Sequence, residues 1–148
     1  MTTSLLRKSS RVVAIIAGLA VLIACTNTKP EQTLYQRLGS AEGIANITEY
    51  FILEIARDER VIAYFEDSNV ERFREKFIEH LCMITGGPCD YSGDTMIDIH
   101  VGMNVTEGAF TAIVEDLIEA MNKANVTIGT QNQVLERLAK LRPEIIYL

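Results

Sequence analysis

Tryptophan is absent from the 148 residues, histidine occurs only twice, and cysteine and proline occur three times each. With so few histidines, any metal or acid–base chemistry that needs imidazole falls on His80 or His100. The chain has no glycine-rich phosphate cradle, no zincin helix, and no Ser/His/Asp or Cys/His spacing that supports a nucleophilic site. Sustained two-residue alternation is missing as well, which excludes half-buried strands. There is no second hydrophobic block that would demand another domain, so the length fits one compact domain with a real core. Pro30, Pro88 and Pro143 lie between or after the periodic segments.

Acid outweighs base. The formal charge is −6, and the only clustered cations, Arg7, Lys8 and Arg11, sit in the first 24 residues without an acid among them. An apolar run from Val12 to Ala24 follows them and ends at Cys25. That run is well short of the ~20 residues a helix needs to cross a bilayer, so residues 1–24 read as an export signal. Leu22-Ile23-Ala24-Cys25 resembles the lipobox of bacterial lipoproteins, which implies cleavage before Cys25 and its acylation as a membrane anchor. By the same analogy, Thr26 after the cysteine favours the outer membrane, and the protein is expected on the periplasmic face. Without the leader, 11 basic residues face 20 acids, a charge near −9. No basic cluster is left to track a phosphate backbone, which argues against nucleic acid as a partner. Residues 25–32, polar after the cysteine and containing Pro30, read as a tether.

From Thr33 to Leu148 the spacing is helical, and the fold class is all-α. Ser40 is the expected cap of a helix with Glu42 in its first turn and Ile44, Ile47, Phe51 and Ile55 as its buried stripe. Ser68 and Glu71 match a capping box that opens a second helix. That helix puts Phe73, Phe77, His80, Leu81 and Ile84 on one face and ends at Gly86-Gly87-Pro88. Thr106 should cap a third, with Phe110, Ile113, Val114, Leu117, Ile118 and Met121 at steps of three and four. Thr130 and Gln133 suggest a capping box for a fourth, which buries Val134, Leu135, Leu138 and Leu141 and stops at Pro143. Four such helices can enclose a ligand.

Between the second and third helices, Gly86-Gly87-Pro88 is followed by Tyr91, Gly93, Met96 and then His100 at fixed steps. This stretch resembles the loop and short proximal helix of the truncated haemoglobins, in which such a run precedes the haem-ligating histidine. The resemblance extends from Thr33-Leu34-Tyr35-Gln36-Arg37-Leu38-Gly39 through Arg57-Asp58 and Tyr64-Phe65 to the helix after Thr106. It implies a two-over-two helical sandwich around one haem b whose iron is carried by His100. The physical reading agrees, because a neutral imidazole is the usual globin ligand and its other nitrogen is held by a carbonyl or carboxylate. Met96 would pack on the haem face and Phe65 at its edge. The missing tryptophan places the chain nearer group I, with Ile113 where the other groups carry that ring.

Carried over residue by residue, the positions facing the sixth coordination site are Ile52, Phe73, Phe77 and Ile113. The family commonly has tyrosine at the position of Ile52 and often glutamine at that of Phe77, so the usual polar trap for the ligand is missing here. Hydrogen-bond donors favour O₂ far more than NO or CO, and an apolar pocket removes that preference. The expected task is binding of a diatomic gas, O₂, NO or CO, with NO dioxygenase or peroxidase-like turnover and an electron donor left open. Tyr50 is two residues, about 200° of helix, from the position of Ile52, which makes it a surface or interface residue. His80 shares the face of Phe73 and Phe77 deeper along the pocket. There it is either a residue with a local partner or the sixth ligand of a low-spin redox or electron-transfer haem. Lys76, and less well Arg72, matches the cation this family often sets against a haem propionate; a solvated charged face is the alternative. Cys82 and Cys89 can bridge the Gly86-Gly87-Pro88 turn in an oxidising compartment or stay separate. Gathering them with His80 and His100 around zinc matches no familiar spacing.

Overall fold

The computed structural model describes residues 31–148. The expected export signal, Cys25 and most of the expected tether lie outside the described residues. Six helices run in the order α1 (Leu34–Arg37), α2 (Ser40–Ile55), α3 (Val70–Ile84), α4 (Met96–His100), α5 (Glu107–Lys123) and α6 (Ile128–Ala139). Single 3₁₀ turns occupy Ile62–Phe65 and Arg142–Glu144. Among the described residues there is no strand, only an isolated bridge between Val105 and Ile146. No helix among them is long and apolar enough to cross a membrane. α2 is the central element, packed most extensively on α5 and next on α3. Its stripe Ile44, Ile47, Phe51 and Ile55 is buried as its spacing requires, and Leu117, Ala120 and Met121 of α5 and Val134 of α6 complete the core.

Four helix boundaries differ from the sequence reading. Ser40 does not cap α2. Gly39 does, in the left-handed region at φ +89°, and a side chain on Gly43 would overlap the Leu38 carbonyl, so the α1–α2 corner closes on two glycines. The cap of α3 is Asn69, whose Oδ1 accepts from the Arg72 amide at 3.0 Å. Glu71, freed from the expected box with Ser68, pairs with Arg74 at 2.5 Å. α6 begins a turn before the expected start, with Thr127 as its cap residue. Thr130 therefore lies inside the helix, buried, with its hydroxyl 3.0 Å from that of Thr127. The same helix ends at Ala139, ahead of Pro143, which sits within the terminal 3₁₀ turn and leaves Leu141 outside α6. The Thr106 cap is as expected, with its hydroxyl accepting from the Ala109 amide at 3.1 Å.

Candidate haem site

The short α4 exists because Thr95 caps it, accepting from the Asp98 amide at 3.1 Å, and it is five residues long. That length sets His100 one turn after Met96. The Met96 carbonyl accepts from His100 Nδ1 at 2.7 Å. This bond fixes the tautomer, because a donating Nδ1 leaves Nε2 as the lone-pair nitrogen, the atom an iron would take. Ile97, Ile99 and Val101 flank the half-buried histidine and are 50%, 41% and 63% exposed. Sequence reasoning did not single these three out, although an apolar Met96-Ile97 and Ile99-His100-Val101 run within a polar loop was the available signal.

Across α2 and α3 three of the expected distal residues are near one another: Ile52 and Phe73 border one cavity, and Phe77 stacks on Phe73. Phe51, Phe65, Phe73 and Phe77 form one aromatic cluster with ring centroids 4.9 to 6.3 Å apart. Phe51, assigned by its spacing to the core alone, joins the core to Phe73 and Phe77. Ile52, Phe65 and Phe73 line a cavity of about 90 Å³ together with Ile55, which is also part of the core, Ala56, Ile62, Val70 and the one polar side chain, Ser68. Ile113 is half-buried against the same core. Tyr50 is half-buried and packed on the core, off the cavity lining.

His80 is 8% exposed, and its ring meets the edge of Tyr91 at 5.2 Å. Its imidazole makes no hydrogen bond to the described residues, and burial pulls its pKa down, favouring the neutral ring. Tyr91 is fixed in turn, donating to the Asp94 carbonyl at 2.8 Å.

Lys76 is not a free cation. Its Nζ lies 2.8 Å from Glu75, 3.0 Å from Glu79 and 2.7 Å from Ser92 Oγ. Glu79 also accepts from the Ser92 amide, and with Lys76 beside it its carboxyl is held down to about 2. Arg72 pairs with Asp94 at 2.9 Å. A propionate reaching this flank would enter an ion-pair network already closed by acids. The roles of Glu79 and Ser92 were invisible in the sequence, since they depend on how the loop folds back.

Cys82 and Cys89 are joined as a disulfide with their Cα atoms 5.9 Å apart. With both sulfurs so engaged, the zinc grouping has no thiolate, and no cluster of three metal-ligating side chains exists among the described residues.

The profile of the bacterial-like globins matches residues 33–147. The chain belongs to the bacterial-like globin family. Among its relatives, the group 1 truncated hemoglobin GlbN of Mycolicibacterium paratuberculosis is 30% identical over 76% of this chain and 83% of that protein. The group 1 truncated hemoglobin of Tetrahymena pyriformis is 28% identical over 78% of this chain and 95% of its own length. The crystal structure of the Tetrahymena pyriformis protein in its Fe(III) form superposes with a TM-score of 0.76 at 27% identity, covering 79% of this chain and all of that one. The 2/2 hemoglobin of Synechococcus sp. PCC 7002, at 22% identity and a TM-score of 0.72 over 78% and 98% of the two chains, shares the fold. The globin is thus a two-over-two sandwich, with α2 packed on α3 and α5, and α5 on α6.

Proposed function

We propose that this globin holds one haem b through Nε2 of His100 and binds a diatomic gas on the opposite face, in a pocket whose ligand-facing side chains, Ile52, Phe73, Phe77 and Ile113, are apolar. The observation that carries the reading is the hydrogen bond from His100 Nδ1 to Met96 O, which orients the ring and leaves one nitrogen for iron. The haem supplies the iron at which a gas coordinates. The protein's part would be to exclude water with the phenylalanine cluster and to offer Met96 and Phe65 as apolar packing for the macrocycle, while Lys76, already paired with Glu75 and Glu79, would have to exchange those partners to meet a propionate.

Without a donor among those four distal side chains, O₂ is stabilised less than in a pocket with tyrosine and glutamine, and NO and CO lose little. This favours gas binding over efficient NO dioxygenation. The leader and Cys25 support attachment by a lipid to the periplasmic face of a bacterial membrane. Any turnover there would need an electron donor.

A second reading has its own observation. His80 is buried, neutral and free of hydrogen bonds to the described residues, so it has a lone pair to offer as a sixth ligand in a redox module. Absorption spectra of the ferric, ferrous and CO forms, beside His100→Ala and His80→Ala, separate the two. Gas binding requires a Soret band that His100→Ala abolishes and a five-coordinate ferrous form that shifts with CO. A low-spin ferrous form that His80→Ala converts to five-coordinate supports the redox module, and no haem uptake at all rejects both.

A further inference from the structure

The loop of residues 85–95 carries the chain from the distal helix α3 to the proximal helix α4, and four side-chain ties fasten it to α3. Cys82 is bonded to Cys89. Glu79 accepts from Ser92 N and Oγ at 3.0 and 2.9 Å, Lys76 donates to Ser92 Oγ at 2.7 Å, and Arg72 pairs with Asp94 at 2.9 Å. Positions 72, 76, 79 and 82 succeed one another by steps of four and three, so the ties run down one edge of the helix. Three of the four join polar groups that water reaches, and such contacts are individually weak. The disulfide is the only covalent tie.

The packing around it is close. A Cβ on Gly87 would lie within 2.6 Å of both the Cys82 sulfur and the Tyr35 ring, so the loop backbone, the sulfur and that ring fill one space. Cys82 is 2% exposed and Cys89 is half-buried. Two residues before Cys82 is His80, two after Cys89 is Tyr91, and these two rings face each other. The disulfide therefore clamps both the rear of the pocket and the start of the segment that leads to His100.

We propose that Cys82–Cys89 is a thiol–disulfide exchange site through which a dithiol reductant, small or carried on a protein, loosens this globin's hold on its haem. The proposal rests on the haem-binding reading. A thiolate of the reductant attacks the more accessible Cys89 sulfur, the Cys82–Cys89 bond breaks, and Cys82 leaves as a thiolate. The second thiol of the reductant then resolves the mixed disulfide and releases Cys89. Two electrons and two protons pass to the cysteine pair, and the reductant departs as its own disulfide. The loop is then left on Glu79, Lys76 and Arg72, and the His80–Tyr91 contact opens with it.

The test uses the full chain carrying Cys25→Ser, loaded with ferric haem, in which Cys82 and Cys89 are the only cysteines. Haem transfer to excess apomyoglobin is followed for the oxidised chain, for the chain reduced with dithiothreitol and freed of excess reductant under argon, and for that sample reoxidised. Cys82→Ser/Cys89→Ser serves as a second route to the open state. The reduced chain is expected to lose haem roughly tenfold faster, within what closing a loop this short contributes. Reoxidation restores the slow rate, and amides 89–94 exchange faster only in the reduced form. Haem loss within twofold in the two redox states overturns the proposal, and the reversible arm decides even if the double variant misfolds. A chain that takes up no haem in either state rejects the haem-binding reading itself and the proposal with it.

Discussion

Asp116 sits on α5 with 8% of its surface exposed, and its Oδ2 is the only buried side-chain oxygen or nitrogen without a partner among the described residues. Burial pushes its carboxyl up to about 6, and the nearby Asp58 pushes in the same direction, while Arg60 opposes them. The folded chain therefore holds this proton more tightly than the unfolded one, in which the carboxyl has its ordinary value of 3.8. The sign follows from linkage: Asp116 adds stability at low pH, and that contribution is lost as pH rises from about 4 through about 6. Asp116→Asn keeps the volume and removes the titration. Denaturant unfolding at pH 4.5 and pH 7.5 should show the variant gaining on the parent by on the order of 2 kcal/mol at the higher pH. Glu79, held down to about 2, runs the other way, so the difference between variant and parent is the quantity to measure rather than either curve alone. An unchanged difference across that window would mean that Asp116 is ionised without cost in the folded state.

At the scale of the element, the caps show what local sequence can and cannot decide. Asn69 and Ser68 are neighbours of similar capping strength, and Glu71 favours Ser68 on spacing alone. The choice falls to Asn69 because Glu71 is drawn to Arg74, which also reaches Glu49 of α2. Asn69→Ala should accordingly cost about 1 kcal/mol in urea unfolding, and Ser68→Ala no more than about 0.5. Equal losses would return the cap to Ser68. The same contrast runs through the molecule. The stripe of α2 was legible because burial repeats every three or four residues along one continuous segment, whereas in α5 only Leu117 and Met121 of the expected stripe are buried. Phe110, Ile113, Val114 and Ile118 are half-buried, and the small side chains Ala109, Ala112 and Ala120, with Asp116, lie deepest because they let α2 approach closely. The cap of α5 was legible because nothing outside the helix competes for the Thr106 hydroxyl. That a carbonyl holds the His100 ring was legible because its Nδ1 bond to Met96 is made within the same helical turn. The contact of Lys76 with Ser92 was not legible because Ser92 lies in the returning loop. Thr130 was misplaced for a similar reason: Gln131 beside it is buried and donates to Asn122 Oδ1 and the Val126 carbonyl, which anchors the start of α6 to the end of α5.

For the whole molecule, the question on the gas-binding reading is why the four positions assigned to face the ligand are all apolar. The aromatic cluster answers part of it. Phe73 and Phe77 pack on Phe51, and Phe51 is 3% exposed in the main core, so the distal wall and the core are one hydrophobic body. A polar group at position 77 would sit within that body and lack partners. Position 52 is different, because Ile52 is half-buried and borders the 90 Å³ cavity, which offers room for a larger ring. Ile52→Tyr is therefore the change that adds a donor at least cost to packing. On the gas-binding reading, one new hydrogen bond is worth about 1 kcal/mol or somewhat more, which corresponds to slower O₂ dissociation on the order of tenfold. CO, a poorer acceptor, should dissociate at a rate changed by less than about threefold. Stopped-flow displacement of each gas from the ferrous protein gives both numbers. Slowing of O₂ alone would establish that the parent pocket selects by what it lacks. Equal slowing of both gases would show instead that the ring narrows the way out, and no change in either would place position 52 away from the bound gas.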